Sequence, residues 1–369
     1  MIHRAKFQNF KALRDVEVTF DSRLTVLVGP NGSGKTSVLQ GIHYLTQLAR
    51  EHNADPEFQF ANLPEYRSAG CEDWEAPNFG LCGRRDGEAD DYEIGVAGTD
   101  EDASALGLVT LGTSRVIAKG VPSGAALKNV EYFPRPQPRF GESRFDNSAI
   151  LRFSARRLAL PALARSQSPQ IEKDGFGLAT TLSHVKSKYP KQFEQILAAL
   201  RRVIPNVTDV RFDKEHIPNT DYFGDVLLLD YKGAQGIKAS HVSSGTLFAL
   251  GLLTVALGPG SPNVILLDDL DNGLHPKAQM ELIEVFRELL KQNAELQIIA
   301  TSHSPYILDR LEWNEVRVTS LGDDGAAVCK PLTAHPDFER WKDSMSPGEF
   351  WGTFYEDWLN KPRNPQPVA

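Results

Sequence analysis

The residues that most restrict what this chain can become are Gly29-Pro30-Asn31-Gly32-Ser33-Gly34-Lys35-Thr36, because of what flanks them. An unbroken apolar run, Leu24-Thr25-Val26-Leu27-Val28, leads in, and Val38, Leu39, Ile42 and Leu45 follow at helical spacing. The order is buried strand, glycine loop, helix. A glycine, four residues, then Gly-Lys-Thr in that setting is the pattern of a phosphate loop. Backbone N–H groups converge there at a helix N-terminus, whose dipole favours phosphate oxygens. Lys35 supplies a point charge and the Thr36 hydroxyl is placed for Mg2+.

A second region, from near His241, alternates elements. It reads as a helix through Leu257, a buried strand Val264 to Leu267, a helix from about Pro276 to Gln292 and a strand Gln297 to Thr301. That alternation predicts a parallel sheet. The first of these strands ends in Asp268-Asp269, at the end of a strand, where sites in such sheets lie. An apolar run ending in two carboxylates is more often a strand entering a turn. Paired with a phosphate loop it reads differently: Asp268 as a Mg2+ ligand through water, Asp269 as the group that polarises the attacking water. Thr301-Ser302-His303-Ser304-Pro305 follows the next strand. A lone histidine there is usually structural, but one strand–helix unit beyond the carboxylates suits a hydrogen bond to a γ-phosphate or its water. Val242-Ser243-Ser244-Gly245-Thr246 opens the preceding helix, either as an ordinary serine cap or as a second anion-binding helix start.

Composition sets the outer bounds. With 369 residues, 41% hydrophobic and 24% charged, the chain can bury a large core in one or two domains. No apolar stretch is long enough to span a bilayer, and Met1-Ile2-His3-Arg4 lacks a signal-peptide pattern, so the expectation is a cytoplasmic protein without a membrane partner. Cys71, Cys82 and Cys329 give neither paired spacing nor a CxxC, as expected of ordinary thiols in a reducing compartment. Net charge is -8, yet residues 51 to 105 hold fifteen acidic and three basic side chains, leaving the rest near +4. Seven arginines, Arg135, Arg139, Arg144, Arg152, Arg156, Arg157 and Arg165, stand against Glu142 and Asp146. They read as a phosphate-binding face or, more often for such clustering, as a solvated surface.

Along the remaining chain, Ala5, Phe7 and Phe10, then Val16, Val18 and Phe20, alternate as a strand pair, with Asp21-Ser22 as a turn. Glu51 to Gly124 is acidic, Gly-rich and weakly periodic, with short strands predicted at Tyr92 to Val96, Gly107 to Leu111 and Arg115 to Ala118. Helices are predicted between Gly177 and Val203, broken at Pro190, and strands at Val207 to Phe212 and Val226 to Tyr231. Trp341, Phe350, Trp351, Phe354, Tyr355 and Trp358 mark an aromatic tail that packs onto the domain or docks a partner, before a Pro/Asn-rich end expected to be disordered.

These pieces, in this order, resemble the ABC-type ATPase domain in its SMC/RecF/OLD-like branch. Phe7 to Leu13 resembles that branch's opening "NFK" segment and Gly29 to Ser37 its Walker A; Val242 to Thr246 resembles a signature motif. Asp268-Asp269 resembles Walker B, Asp271-Asn272-Gly273-Leu274-His275-Pro276 the D-loop region, and Thr301 to Pro305 the switch-histidine segment. The resemblance implies an α/β fold: a P-loop NTPase of ABC-type head architecture, with a mixed, mostly parallel sheet and an inserted helical lobe. It divides the chain into a discontinuous core, 1–50 plus 240–330, an acidic insert 51–130, a lobe with returning strands 131–239, and the tail 331–369. ATP and Mg2+ are the implied ligands. Gly29, Pro30, Asn31, Gly32, Ser33, Gly34, Lys35, Thr36 and Ser37 would bind nucleotide, and Thr36 and Asp268 would hold the metal. Asp269 and His303 would be catalytic. Ser243, Ser244, Gly245 and Thr246 would cap the γ-phosphate of a second copy, and the adenine would lie near Asn9 to Lys11.

Two departures stand out. The family's usual Asp-Glu is Asp268-Asp269 here, one methylene shorter, which predicts slow hydrolysis. No Q-loop glutamine is assignable, Gln137 and Gln167 being weak candidates, and no Glu and DxD cluster of a Toprim nuclease follows His303. The leading expectation is an ATP-hydrolysing switch that forms a homodimer on ATP and gates a separate effector, a nuclease for instance, in DNA repair or antiphage defence. Two alternatives remain. One is a RecF-like DNA-binding repair ATPase, using the arginines above with Lys186, Lys188, Lys191, Arg201 and Arg202; the other is a scaffold that binds ATP without hydrolysing it. A transporter ATPase subunit fits poorly with so long an insertion between phosphate loop and signature.

Overall fold

The computed structural model describes residues 1–51, 78–83, 92–99, 104–111, 114–119, 147–163, 166, 168–217 and 220–360. The chain divides into two compact units, Met1–Ser148 with Glu312–Ala369, and Ala149–Leu311. The first opens with β1 (Ile2–Phe10), β2 (Leu13–Thr19), β3 (Leu24–Val28), α1 (Lys35–Glu51), β4 (Asn78–Gly83), β5 (Tyr92–Thr99), β6 (Ser104–Leu111) and β7 (Ser114–Lys119). β8 (Ser148–Leu151) leads into the second. There follow α2 (Ala155–Leu158), α3 (Leu178–Lys188), α4 (Pro190–Val203), β9 (Val207–His216), β10 (Phe223–Tyr231), β11 (Ala234–Lys238), α5 (Ser244–Leu257), β12 (Val264–Leu267), α6 (Pro276–Gln292), β13 (Gln297–Thr301) and α7 (Pro305–Leu308). The first unit closes with β14 (Val316–Leu321), β15 (Ala327–Pro331), α8 (Phe338–Trp341) and α9 (Pro347–Phe354).

In the first unit the alternating residues of β1 and β2 face each other, Ala5 opposite Val18, Phe7 opposite Val16, Phe10 opposite Leu13. All are buried. The hairpin reverses at Lys11-Ala12, with Lys11 at φ 54°. Asp21-Ser22, predicted as a turn, joins β2 to β3. Every residue of β3 is buried, and it pairs in parallel with β14, Val26 opposite Val316. β14 carries Arg317, whose side chain is 1% exposed and whose Nη2 meets Asp21 Oδ2 at 2.7 Å. Its Nε donates to Thr19 O and its Nη1 to Asn314 O, at 2.6 and 2.8 Å, so one guanidinium fastens the β2–β3 connection to β14. Burial pushes the Cys329 thiol on β15 up to about 12, which keeps it in the neutral thiol form. β5, β6 and β7 form an antiparallel meander at the three predicted strands, each longer than expected.

The tail packs onto its own unit. His335 lies 4.9 Å, ring to ring, from both Phe350 and Phe354 and 5.2 Å from Trp358, while Trp313 stacks edge-on against Phe338 and Phe350. Phe350 and Trp351 are buried. The predicted disordered end, 361–369, lies outside the described residues.

The second unit is built around α5, whose apolar residues run all the way round: Leu247, Phe248, Leu250, Leu252 and Leu253 are all buried. It packs on α2, α3 and α4, and α4 in turn packs on α6. Residues predicted as lobe and residues predicted as core therefore share one hydrophobic interior, and the compact unit runs through the expected boundary at 239/240. β9, β10 and β11 form an antiparallel sheet in the order β11-β10-β9. β12 and β13 pair in parallel, Val264 opposite Gln297.

Candidate nucleotide site

The glycine loop lies in the first unit. α1 begins at Lys35, so the N–H groups of its first turn open toward the glycine loop. Gly29, at φ 143°, passes so close to the Thr319 carbonyl that no side chain fits. Thr319 stitches the loop to β14: its Oγ1 donates to Val28 O at 3.1 Å and shares a 2.6 Å hydrogen bond with Ser33 Oγ. Lys35 is buried, and its Nζ donates to Gly29 O and Pro30 O, both at 2.8 Å. The ammonium is thus held across the loop it serves. Pro30, Asn31 and Gly32 are exposed, Thr36 and Ser37 half-buried. Lys11, on the β1–β2 turn, donates to Gln40 Oε1 of α1 at 2.5 Å.

The paired carboxylates lie in the second unit. Buried β12 delivers Asp268, whose N–H donates to Leu151 O at 2.9 Å and whose Oδ1 accepts from Thr301 Oγ1 at 2.9 Å. Its Oδ2 lies 3.3 Å from Arg152 Nε. Asp269 sits at φ 57°, a left-handed conformation costly for a residue with a Cβ, and its N–H donates to the same Thr301 hydroxyl at 2.9 Å. That backbone reversal separates two adjacent carboxylates into different environments: Asp268 is buried and Asp269 exposed. Partial desolvation of its carboxyl, then the charges of Asp268 and Asp271, raise Asp269 above its usual range, against the opposing pull of His303 and Arg152.

Asp271 ties this turn to β13's exit, its Oδ1 accepting from Ser302 Oγ at 2.8 Å and from His303 N at 3.1 Å. Gln279, buried on α6, closes the circuit: Nε2 donates to Leu274 O at 2.9 Å and Oε1 accepts from Ser304 Oγ at 2.5 Å. His303 is exposed at the centre of this clasp. Ser243 caps α5, accepting from Thr246 N at 3.3 Å. Gly245 lies against the Gly273 carbonyl with no room for a Cβ, so the start of α5 and the turn after the carboxylates are in backbone contact.

The structure brings Asp268, Asp269, His303 and the Ser243–Thr246 segment into one unit; the loop residues belong to the other. Each unit by itself offers oxygen, the donor Mg2+ prefers: the Thr36 hydroxyl in the first and the Asp268 carboxylate in the second. Among the described residues no cluster of three or more His, Cys, Asp or Glu could cage a metal.

Local pattern missed two participants. Arg152 had been grouped with a phosphate-binding arginine face, and Gln279 carried no signal at all. Of the seven arginines of that face, Arg152 and Arg157 have partners within their own unit. Arg157 pairs with Asp174 at 2.7 Å and Glu172 at 3.6 Å, Arg202 pairs with Glu288 at 2.6 Å, and Arg201 and Lys186 donate to the Thr208 and Val210 carbonyls. These cations are committed to their own unit. Arg156, Lys188 and Lys191 are exposed, while Arg135, Arg139, Arg144, Arg165, Gln137 and Gln167 lie outside the described residues.

Known families and structures match on both sides. The family model for an "AAA ATPase domain" matches residues 1–87, and that for an "AAA domain, putative AbiEii toxin, Type IV TA system" matches residues 129–309. The Septu protein PtuA of Bacillus thuringiensis is 19% identical over 362 residues, 92% of this chain and 81% of that protein. The DNA double-strand break repair Rad50 ATPase of Methanopyrus kandleri is 48% identical over 42 residues, 11% of this chain and 5% of that one. Among solved structures, the Smc head bound to the C-winged helix domain of ScpA aligns with TM-score 0.54 and 13% identity, covering 89% of this chain and 96% of that one. The Pyrococcus furiosus Smc head with an extended coiled coil, bound to the C-terminal domain of ScpA, aligns at 0.50 and 12%, covering 93% and 98%. Among the described residues no helix is long and apolar enough to cross a membrane.

Proposed function

We propose a function that starts from what the chain is, an ABC-type P-loop ATPase of the SMC/OLD-like branch. It binds ATP, hydrolyses it slowly to ADP and phosphate, dimerises while ATP is bound, and through that state controls a separate effector in DNA repair or antiphage defence. The observation that carries this reading is the split between the two carboxylates, Asp268 buried and anchored by Thr301, Asp269 exposed beside His303 with a raised proton affinity. One is shaped to hold a cation and the other to accept a proton.

The roles follow from chemistry. Loop N–H groups from Gly29 to Ser37 and the Lys35 ammonium take the β- and γ-phosphates. Thr36 and Asp268 would hold Mg2+, which would neutralise charge developing on the phosphate oxygens. Water attacks the γ-phosphorus, its proton passes to the Asp269 carboxylate, and ADP leaves with the former bridging oxygen. His303 donates to the γ-phosphate. Ser243, Ser244, Gly245 and Thr246 of a second copy close over it, so the dimer reads the nucleotide. The shorter Asp269 side chain reaches the water less readily than the glutamate usual at this position, hence a low rate.

Support for the biological role comes from similarity, along nearly the whole chain, to a Septu protein PtuA, and from heads of this fold seen holding a partner's domain. The test is an affinity capture of the intact chain carrying Asp269→Asn under saturating Mg-ATP, with phosphate release measured on wild type and Lys35→Ala. The expected results are a trapped dimer retaining its effector, and phosphate release that disappears with Lys35. Recovery of monomer alone would remove the switch.

A further inference from the structure

We propose that Arg152 is a nucleotide-sensing residue: its guanidinium holds Asp268 until a divalent cation takes that carboxylate, and then turns to the triphosphate that arrived with the cation. The inference rests on the assignment of Asp268 to the metal made above. Its ground is an unusual mixture of fixed backbone and unspent side chain. The Leu151 carbonyl accepts from Asp268 N–H at 2.9 Å, and Arg152 N–H donates to Lys173 O at 2.8 Å, so the residue's backbone is pinned beside the carboxylate. The side chain is not pinned. It is 68% exposed, whereas that of Asp268 is 3% exposed, and the contact between them is Nε, 3.3 Å from Oδ2. A guanidinium carries five donors in a planar fork matched to carboxylate and phosphate oxygens, and most of that capacity here faces water.

Charge gives the arrangement a direction. Asp268, Asp269 and Asp271 place three carboxylates on one turn, and Arg152 and His303 are the groups opposing them at Asp269. Without Arg152 the Asp268 carboxylate would meet a divalent cation unopposed, with or without nucleotide. With it, a cation must displace a guanidinium, and the displaced guanidinium does best where a new anion comes with the metal. Arg152 thereby makes Asp268 answer to metal and triphosphate together. A static ion pair would do the opposite, holding the carboxylate in shape for the metal and treating all nucleotides alike.

The experiment uses the full-length chain as wild type, Arg152→Ala, Arg152→Lys and Asp268→Asn. Two quantities are measured: Mn2+ affinity without nucleotide, by electron paramagnetic resonance, and fluorescent ATP and ADP affinities in Mg2+. Arg152→Ala should tighten nucleotide-free Mn2+ binding by about three- to fivefold, the worth of an ion pair whose cation is largely exposed. It should also shrink the preference for ATP over ADP, with Arg152→Lys restoring part of it. Unchanged or weaker Mn2+ binding, or equal losses for ATP and ADP, would overturn the proposal. If Asp268→Asn leaves Mn2+ affinity unaltered, the metal assignment itself falls and Arg152 with it. Nucleotide binding to the phosphate loop, measured in EDTA and abolished by Lys35→Ala, stands or falls separately.

Discussion

Asp269 shows how one backbone angle sets chemistry. At φ 57° the chain reverses immediately after β12, leaving the second carboxylate exposed but within reach of two others. Asp271 is one of those charges, and it also accepts from Ser302 and His303 N. Asp271→Asn keeps an oxygen for both donors and removes the charge. Loss of a negative neighbour favours ionised Asp269, so the acid limb of the pH–rate profile should move to lower pH at fixed Mg2+; an unmoved or upward-shifted limb would deny Asp269 the role of proton acceptor. Gly273, at φ 68°, makes a steric case. Its added Cβ would meet Ser244 Oγ at 2.6 Å, so Gly273→Ala combines left-handed strain with a collision at the start of α5. The expected cost is about 1–3 kcal/mol in chemical denaturation, with phosphate release falling further than stability alone accounts for.

Elements whose ends carry their own instructions were legible from sequence. β12, α6 and β13 begin and end where predicted, because an apolar run stops at Asp268, Pro276 occupies a first helical position after the capping His275, and β13 exits into Thr301. The phosphate loop was legible for the same local reason. What sequence could not supply was pairing across distance: Arg152 with Asp268, Gln279 with Ser304, and the shared interior that joins α5 to the lobe helices. Each depends on which surfaces meet, and no spacing rule encodes that. The tail is a similar case, its aromatic residues visible but their partner His335 not. Burial lowers the proton affinity of this imidazole, with Asp337 opposing, and Nδ1 already accepts from Asp337 N at 3.0 Å. The folded state therefore binds the proton less well than the unfolded chain, and stability present above the ordinary histidine value is lost as pH falls below it. Thermal midpoints should drop between about pH 8 and pH 5 for the wild type and drop less for His335→Phe; parallel profiles would show that His335 is not the titrating group.

At the scale of the whole molecule, the question is whether one chain or two complete a catalytic centre. Ser243 offers a clean way to ask, because its job within the chain is separable from its job toward a partner. As the cap of α5 it accepts from Thr246 N, and aspartate caps a helix equally well, so Ser243→Asp should leave the fold intact. Toward a γ-phosphate, however, it replaces a donor with a negative charge. Ser243→Asp and Lys35→Ala should each abolish phosphate release alone. Mixed in equal amounts, half of randomly paired dimers contain one of each, and every such dimer holds one site with an intact loop from one chain and an intact Ser243 from the other. Activity should therefore return to about a quarter of the wild-type rate, as two-fold symmetry requires. If the site were complete within one chain, mixing two dead variants would restore nothing.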